Sequence, residues 1–510
     1  MGKDLTIPWW EADDPVKDLP TAPLGTETPK HEVRVQREAI PLIFVPGIMG
    51  TCLRRTGTNG SGDGPDGLPN MRWNPSSTMW MLKYVSGESG ATRKALIVGR
   101  NFDPGYLEPD NANPVGDGFR ALMEDYCTKF LIPLRNHDWG QLTKVFEFPV
   151  YGFGYNWTDN AANAGKKLAA RIKEIKAEAA AVTGLCEKVI LISHSMGGLV
   201  TRWASEKEGA SGDILGIIHG VQPATGSPAA YWRIKAGFEG GWLVSRVLGN
   251  SGRTVTPILG NIPGGLQLLP NKLHKTNEGR TSWLTVTENG VATLELPKSD
   301  PYQEIYREPA KVAVPAKNER PSTNKYWSLV DPDLLDPGAV QNSGGNRHDA
   351  AAAAMAPDPW NNYLTHLDAA EKFHDALGKS AHTRTFNARG VGQKTADVIE
   401  MRVESNWVRT DPYPNQCFRG FFRHANGDSM QAVLQDPAGD GDATVPRSSA
   451  AALDKKGKQL PGDRAIEAEH QPAYEFDAMQ QWAFEAVKAL AKVRYEEKNR
   501  KIGDFPAPEK

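Results

Sequence analysis

Residues 189–200 read Val-Ile-Leu-Ile-Ser-His-Ser-Met-Gly-Gly-Leu-Val. An apolar run stops at a cluster of small residues, with Ser195 at its centre, Ser193 two positions before and Gly197 two positions after. A strand that turns sharply into a helix needs small residues on both sides of the apex, because the two backbone segments pass closely there. The apex side chain stands exposed on a strained backbone, and the start of the following helix aims free N–H groups at whatever reacts with it. A hydroxyl so placed is a candidate nucleophile for acyl transfer. The pattern is short, and a serine-rich turn without chemistry is the competing reading. The buried-strand pattern before it and the helical Leu-Val-x-x-Trp run after it favour the elbow.

A serine nucleophile needs a base, and the base needs an orienter. Downstream lies Asp436-Pro-Ala-Gly-Asp440-Gly441-Asp442-Ala-Thr-Val-Pro446, then Ala468-Glu469-His470 just ahead of the last helical pattern. Serine, acid and histidine in that chain order suit a nucleophile at a strand–helix elbow. Asp442 is expected to orient His470, with Asp440 as the second candidate. The acidic turn could instead be ordinary, or hold calcium, although it lacks the glutamate-terminated spacing of an EF-hand loop. His470 is one of 11 histidines and is chosen on position and order; His194, beside the serine, is expected to pack under the elbow. An oxyanion needs two preorganised N–H donors. One is expected at Met196. The other is expected in the Pro46-Gly47-Ile48-Met49-Gly50 turn, at Ile48 first and Met49 second; a plain strand-ending turn is the alternative.

These residues need elements to hold them. Ile40–Val45, Val145–Val150, Lys188–Ile192 and Ile214–Val221 are short apolar runs, the pattern of strands buried on both faces. Between the second and third, Leu168, Ile172, Ile175, Ala179 and Val182 recur at helical spacing, with Thr158 or Asp159 as cap and Gly184 as stop. Strands alternating with helices indicate a parallel sheet. From 231 to 430 this rhythm breaks. Trp283–Leu296 alternates around Asn289-Gly290, a hairpin signal, and a helical stretch surrounds Asp349–Leu377. The expected organisation is a polar N-terminal arm at 1–36, a first core part at 37–230, an inserted cap or lid at 231–430, and a second core part at 431–500 carrying acid, histidine and a C-terminal helix.

Composition sets the outer limits. In 510 residues, 59 Lys and Arg oppose 61 Asp and Glu, a balance that argues against an electrostatically driven nucleic-acid binder. A hydrophobic fraction of 39% with 24% charged residues suits a folded protein, and 50 glycines with 37 prolines suit one rich in loops. No run approaches the ~18 apolar residues of a membrane helix, and no Sec leader is seen. Met1–Thr6 matches a myristoylation pattern too loose to build on. Cys52, Cys127, Cys186 and Cys417 form no C-x-x-C pair, so neither a disulfide framework nor a zinc site is expected.

Taken together, Phe44-Val-Pro-Gly-Ile-Met-Gly50, Tyr155-Asn-Trp157, Ser193-His-Ser-Met-Gly-Gly198, Gly226-Ser-Pro-Ala229, Gly264-Gly-Leu-Gln-Leu-Leu-Pro270, Gly439-Asp-Gly-Asp-Ala-Thr-Val-Pro446 and Glu469-His470 resemble, in order, the lecithin:cholesterol acyltransferase-like and PGAP1-like lipases of the α/β-hydrolase superfamily. Two departures stand out: Ser193 replaces the first elbow glycine, and Ala443 follows the acid where glycine is commoner. The resemblance implies an α/β fold with an α/β-hydrolase core and a large inserted cap. It implies Ser195 as nucleophile, Asp442 as acid and His470 as base, in a serine lipase or phospholipase working through an acyl-enzyme without cofactor or metal. The substrate would be a lipid or phospholipid ester met transiently at a membrane surface. Trp232, Phe238, Trp242 and Leu243 either line an acyl pocket, face lipid, or form ordinary cap core. Some bacterial lipases of this kind resemble effectors delivered by the type VI secretion apparatus and paired with an immunity protein. The absent leader, the Pro-rich arm and the cap suit that expectation: a soluble chain, cytoplasmic at synthesis, exported by a route other than Sec. A cytosolic carboxylesterase, an acyltransferase and a catalytically silent binding protein are the other readings.

Overall fold

The apolar runs assemble into one sheet. In the computed structural model, which describes residues 37–55, 121–238, 252–309, 358–405, 429–454 and 463–503 with shorter stretches between them, six strands pair in parallel. They are Leu42–Val45 (β1), Val150–Gly152 (β2), Val189–His194 (β3), Ile214–Gly220 (β4), Thr385–Val391 (β5) and Asp463–Glu467 (β6), in the spatial order β6-β5-β4-β3-β1-β2. Ile43 lies opposite Leu191, and Leu191 opposite Ile217. Because strand side chains alternate, Ile43 and Val45 enter one core while Leu42 and Phe44 enter another on the far face.

Helices cover both faces. Ala161–Thr183 (α1) buries Leu168, Ile172, Ile175 and Ala179, and Gly197–Glu206 (α2) buries Leu199 and Val200 beside them. Asp477–Gly503 (α5, after α3 at Pro228–Ala236 and α4 at Pro359–Leu377) lays Met479, Val487 and Leu490 on the opposite face. The α1 cap is Asn160, whose side-chain oxygen accepts from the Ala162 amide at 2.9 Å; Thr158 is instead turned to Asn156. Gly184 ends α1 at φ 82°. Val182 keeps the helical spacing but is 84% exposed, in the last turn before the Gly184 stop. Pro149 splits the expected Val145–Val150 strand into a short bridge at Phe146–Glu147 and β2, since proline offers no N–H to a ladder.

The hairpin forms with Asn289 and Gly290 at positive φ, and its strands Leu284–Glu288 and Val291–Leu296 join Ile399–Ser405, Ser429–Leu434 and Arg419–Arg423 in a second sheet. One boundary needs correction. The main sheet resumes at β5, within the 231–430 span expected to be cap, and the second sheet takes strands from both sides of it. The reason lies in β5 itself, Thr-Phe-Asn-Ala-Arg-Gly-Val, which has no apolar run. Its buried Asn387 is satisfied instead by donating to the Ala450 carbonyl at 2.8 Å and accepting from Gln222 at 3.0 Å.

Trp232 is core, and half-buried Phe238 lies under the Arg233 guanidinium at 5.3 Å; the arm at 1–36, Trp242, Leu243 and Cys417 fall outside the described residues. Cys52, Cys127 and Cys186 are buried, and burial pushes the Cys52 and Cys186 thiols up to about 11. An ion cluster around the buried Arg494 and Glu38 ties the first part of the chain to α5: Arg494 meets Glu38 at 3.0 Å and Glu187 at 2.5 Å, and Lys498 meets Glu38 at 2.6 Å. Among the described residues no helix is long and apolar enough to cross a membrane.

Candidate active site

Ser195 sits between β3 and α2 with φ at 51°. Its amide donates to the Gly220 carbonyl at 3.0 Å, which anchors the bend to β4. The crossing is tight: a Cβ on Gly197 would lie 2.3 Å from the Val45 carbonyl oxygen, a backbone atom that cannot yield. Only glycine fits there. Ser193, where the resemblance expects glycine, has a partner of its own, since its hydroxyl lies 2.8 Å from Nδ1 of His219 on β4.

The acid turn follows strand Gly439–Gly441, which pairs with Gln393–Thr395 just past β5. Asp442 is fully buried, and its Oδ1 accepts from the amides of Thr444 at 2.9 Å and Val445 at 2.6 Å. Ala443 takes φ 72°, a conformation that costs a non-glycine residue about 1–2 kcal/mol. The Thr395 hydroxyl accepts from the Ala443 amide at 2.8 Å and holds that conformation.

His470 lies on the loop after β6. Its Nδ1 is 2.8 Å from Asp442 Oδ2 and its Nε2 is 2.7 Å from Ser195 Oγ, while its amide donates to the Asp442 carbonyl at 2.8 Å. A carboxylate only accepts, so Nδ1 carries the hydrogen and the Nε2 lone pair faces the serine hydroxyl. The structure thus brings Ser195, His470 and Asp442 into one hydrogen-bonded chain. Asp440, the second candidate acid, points elsewhere: it accepts from the Gly392 amide at 2.8 Å and lies 3.6 Å from Arg447 at the surface.

The turn at 46–50 lies against the serine, because a Cβ on Gly47 would sit 3.0 Å from Ser195 Cβ. Met49 has φ 64°, and Gly50 donates back to Gly47 at 3.2 Å. Tyr155 pins the turn by donating to the Pro46 carbonyl at 3.0 Å, and Trp157 by donating to Thr51 at 3.2 Å. Among the described residues, the amides of Ile48, Met49 and Met196 donate to no protein acceptor. His194 is buried beneath the elbow, and burial pulls its imidazole down to about 3, so it is neutral. Among the described residues no group of three His, Cys, Asp or Glu side chains could hold a metal ion.

Sequence reading missed the clamp behind the acid turn. The Asn277 amide donates to both Asp397 carboxylate oxygens at 3.0 Å, its side chain donates to the Asp440 carbonyl at 2.9 Å, and it accepts from Ser448 at 3.1 Å. Asp397 is only 2% exposed, and burial pushes its pKa from 3.8 up to about 6; Glu278 adds to this, while the Asn277 bond, Arg280 and Arg447 oppose it. An acid whose native pKa exceeds its unfolded value binds its proton more tightly when folded. Stability therefore falls as pH rises from about 4 to 6. Asp397→Asn keeps one acceptor for Asn277 and removes the buried charge. It should raise stability by on the order of 2 kcal/mol at pH 7 and change it little at pH 4. Thermal melts of both proteins at the two pH values check this; an equal effect at both would rule out the charge as the cause.

Among solved structures, a chain of the Tle4-Tli4 complex superposes on this one with a TM-score of 0.66 at 22% identity, over 90% of this chain and 99% of that chain. A lipase of Bacillus licheniformis, BlEst2 in mature form, is 17% identical over 46% of this chain and 58% of its own, with a TM-score of 0.18. The phospholipase PlaB from Legionella pneumophila is 12% identical over 56% of this chain and 72% of its own, with a TM-score of 0.15. Superpositions as poor as the last two carry no argument. No family model matches the chain and no curated protein matches it, so the narrower resemblance to the acyltransferase-like and PGAP1-like lipases rests on the quoted motifs. The six-stranded parallel sheet and the first likeness together establish the fold: the chain is an α/β protein, a parallel sheet covered by helices on both faces.

Proposed function

We propose that this chain is a serine-dependent lipase or phospholipase. The observation that carries the reading is the Asp442–His470–Ser195 chain, with links of 2.8 and 2.7 Å, ending on a hydroxyl held at a positive-φ elbow. As Ser195 Oγ attacks the ester carbonyl carbon, His470 Nε2 takes its proton, and Asp442 fixes the tautomer and stabilises the imidazolium. The carbonyl oxygen becomes an oxyanion, held by the unengaged amides of Met196 and Ile48, with Met49 as the alternative to Ile48. Collapse expels the alcohol, which receives the proton from His470. Water, activated by the same imidazole, then releases the acid. The half-buried side chains of Ile48 and Met49 pack onto the core beside the serine and offer a hydrocarbon surface for an acyl chain.

The structural neighbour was solved as a complex of two components, Tle4 and Tli4. By extension, the proposal includes a protein partner for this chain, an immunity protein that shields the cell making an exported antibacterial effector. The test uses a fluorophosphonate probe with peptide mass spectrometry, then fatty-acid release from phosphatidylethanolamine and phosphatidylglycerol vesicles. The expected result is one adduct, on Ser195, and fatty acid released in proportion to unlabelled protein. No adduct would overturn the serine mechanism. Labelling with hydrolysis of short esters alone would replace the lipase with a carboxylesterase.

A further inference from the structure

We infer that Tyr126 and His194 form a positioning relay that holds the base and the oxyanion turn in register from a single phenol. The inference rests on the serine-hydrolase reading above and assigns roles to two side chains that the acyl-transfer scheme does not use.

The hydrogen-bond directions can be deduced. His194 Nε2 lies 2.8 Å from the backbone carbonyl oxygen of His470, which only accepts, so Nε2 carries the hydrogen. A neutral imidazole has one N–H, so Nδ1 is the acceptor. The group facing Nδ1 at 2.8 Å is the Tyr126 hydroxyl, which therefore donates. The His194 ring packs between Tyr126 and His470, with ring centroids 5.4 and 5.3 Å away. Asp442 and His470 are the titratable groups that act on it most: the aspartate favours its protonated form, while burial and His470 oppose that form more strongly. The relay thus keeps one pattern of donors and acceptors at neutral pH, where His194 is uncharged.

The other end of the relay reaches the oxyanion turn. Burial pushes the Tyr126 phenol up, and the neighbouring Gly47 amide and Gln471 side chain oppose that rise. A Cβ on Gly50 would lie 2.8 Å from the Tyr126 ring, and a Cβ on Gly47 would lie 2.9 Å from His194 Nδ1, so phenol, imidazole and turn form one packed unit. A phenol has one hydrogen and two lone pairs. Here the hydrogen goes to the residue before the nucleophile, while the ring packs on the oxyanion turn. Tyr474 closes the unit from the α5 side by donating to the Ser193 carbonyl at 3.1 Å.

Catalysis of this kind depends on sub-ångström placement, and a misplacement near 1 Å can cost about 100-fold. Tyr126→Phe removes one oxygen, leaves the ring, and frees His194 to reorient. The expected result is a kcat lower by about 10- to 100-fold with KM within about twofold, because ground-state binding of the ester does not use the relay. His194→Gln keeps an N–H near the Nε2 position and should retain part of the activity that His194→Phe loses. A second readout needs no turnover. In wild type the Nδ1 proton of His470, shared with Asp442, should give a far-downfield proton NMR signal. Tyr126→Phe and His194→Phe should shift or broaden it, whereas a merely structural residue would lower Tm and leave it in place. Unchanged kcat and an unchanged signal in both variants would overturn the relay while leaving the serine mechanism standing. A signal that responds in a protein hydrolysing no ester would support the relay and overturn the lipase reading.

Discussion

Replacing Ser195 with alanine should lower ester hydrolysis by about 10⁵- to 10⁶-fold while leaving the fold intact. The substitution removes the atom that forms the acyl-enzyme and deprives His470 Nε2 of its hydrogen-bond partner at 2.7 Å. It does not relieve the backbone, because alanine carries the same Cβ at φ 51° and meets the same strain. Stability should therefore move by about 1 kcal/mol or less. The residual rate comes from the two amide donors and from water attacking directly, which is why the loss is not total. Initial rates on p-nitrophenyl esters, paired with a melting curve for each protein, check both halves. A variant that keeps a tenth of the wild-type rate would remove Ser195 from the mechanism.

Asp442→Asn should lower kcat by about 10⁴-fold, while Asp440→Asn should stay within about twofold of wild type. The difference follows from which atoms are already committed. At position 442, the oxygen that accepts from Thr444 and Val445 must remain an acceptor. The new amide therefore turns its NH2 toward His470 Nδ1, which must then give up its hydrogen. That hydrogen moves to Nε2 and faces the serine hydroxyl, so the base can no longer accept a proton. At position 440 the amide oxygen still accepts from Gly392, and only a solvent-exposed contact to Arg447 is lost. Steady-state rates of the two variants side by side test this; comparable losses would mean that the turn's charge, and not the Asp442–His470 bond, matters.

Legibility followed locality. The elbow is written in six consecutive residues, and β1, β3 and β4 announce themselves as apolar runs because both of their faces are buried. The acid turn was visible as a cluster with Asp442 ahead of Asp440, but the Thr444 and Val445 amides that hold the Asp442 carboxylate were not. β5 was lost because Asn387 and Arg389 interrupt its pattern, and nothing nearby in sequence shows that Gln222 and Ala450 satisfy the asparagine. Thr395, Asp397 and Asn277 act through partners 48 to 163 positions away, which no local pattern encodes. Tyr126 sits in a short irregular helix without a motif, and its role depends on meeting His194, 68 positions further on.

The span of the triad also orders events during synthesis. Ser195 and His470 are 275 positions apart, and β6, which delivers the histidine, pairs with β5 at the sheet edge farthest from β1 and β2. At about 5–20 residues per second, a ribosome exposes the serine roughly 14 to 55 s before the histidine. Throughout that interval, nothing is in place to accept the serine proton that the proposed mechanism requires. On the proposed mechanism, hydrolytic capacity is thus a late property of the polypeptide. Any product of interrupted translation or proteolysis that lacks the residues around 470 would lack the proposed base, however well its first strands fold.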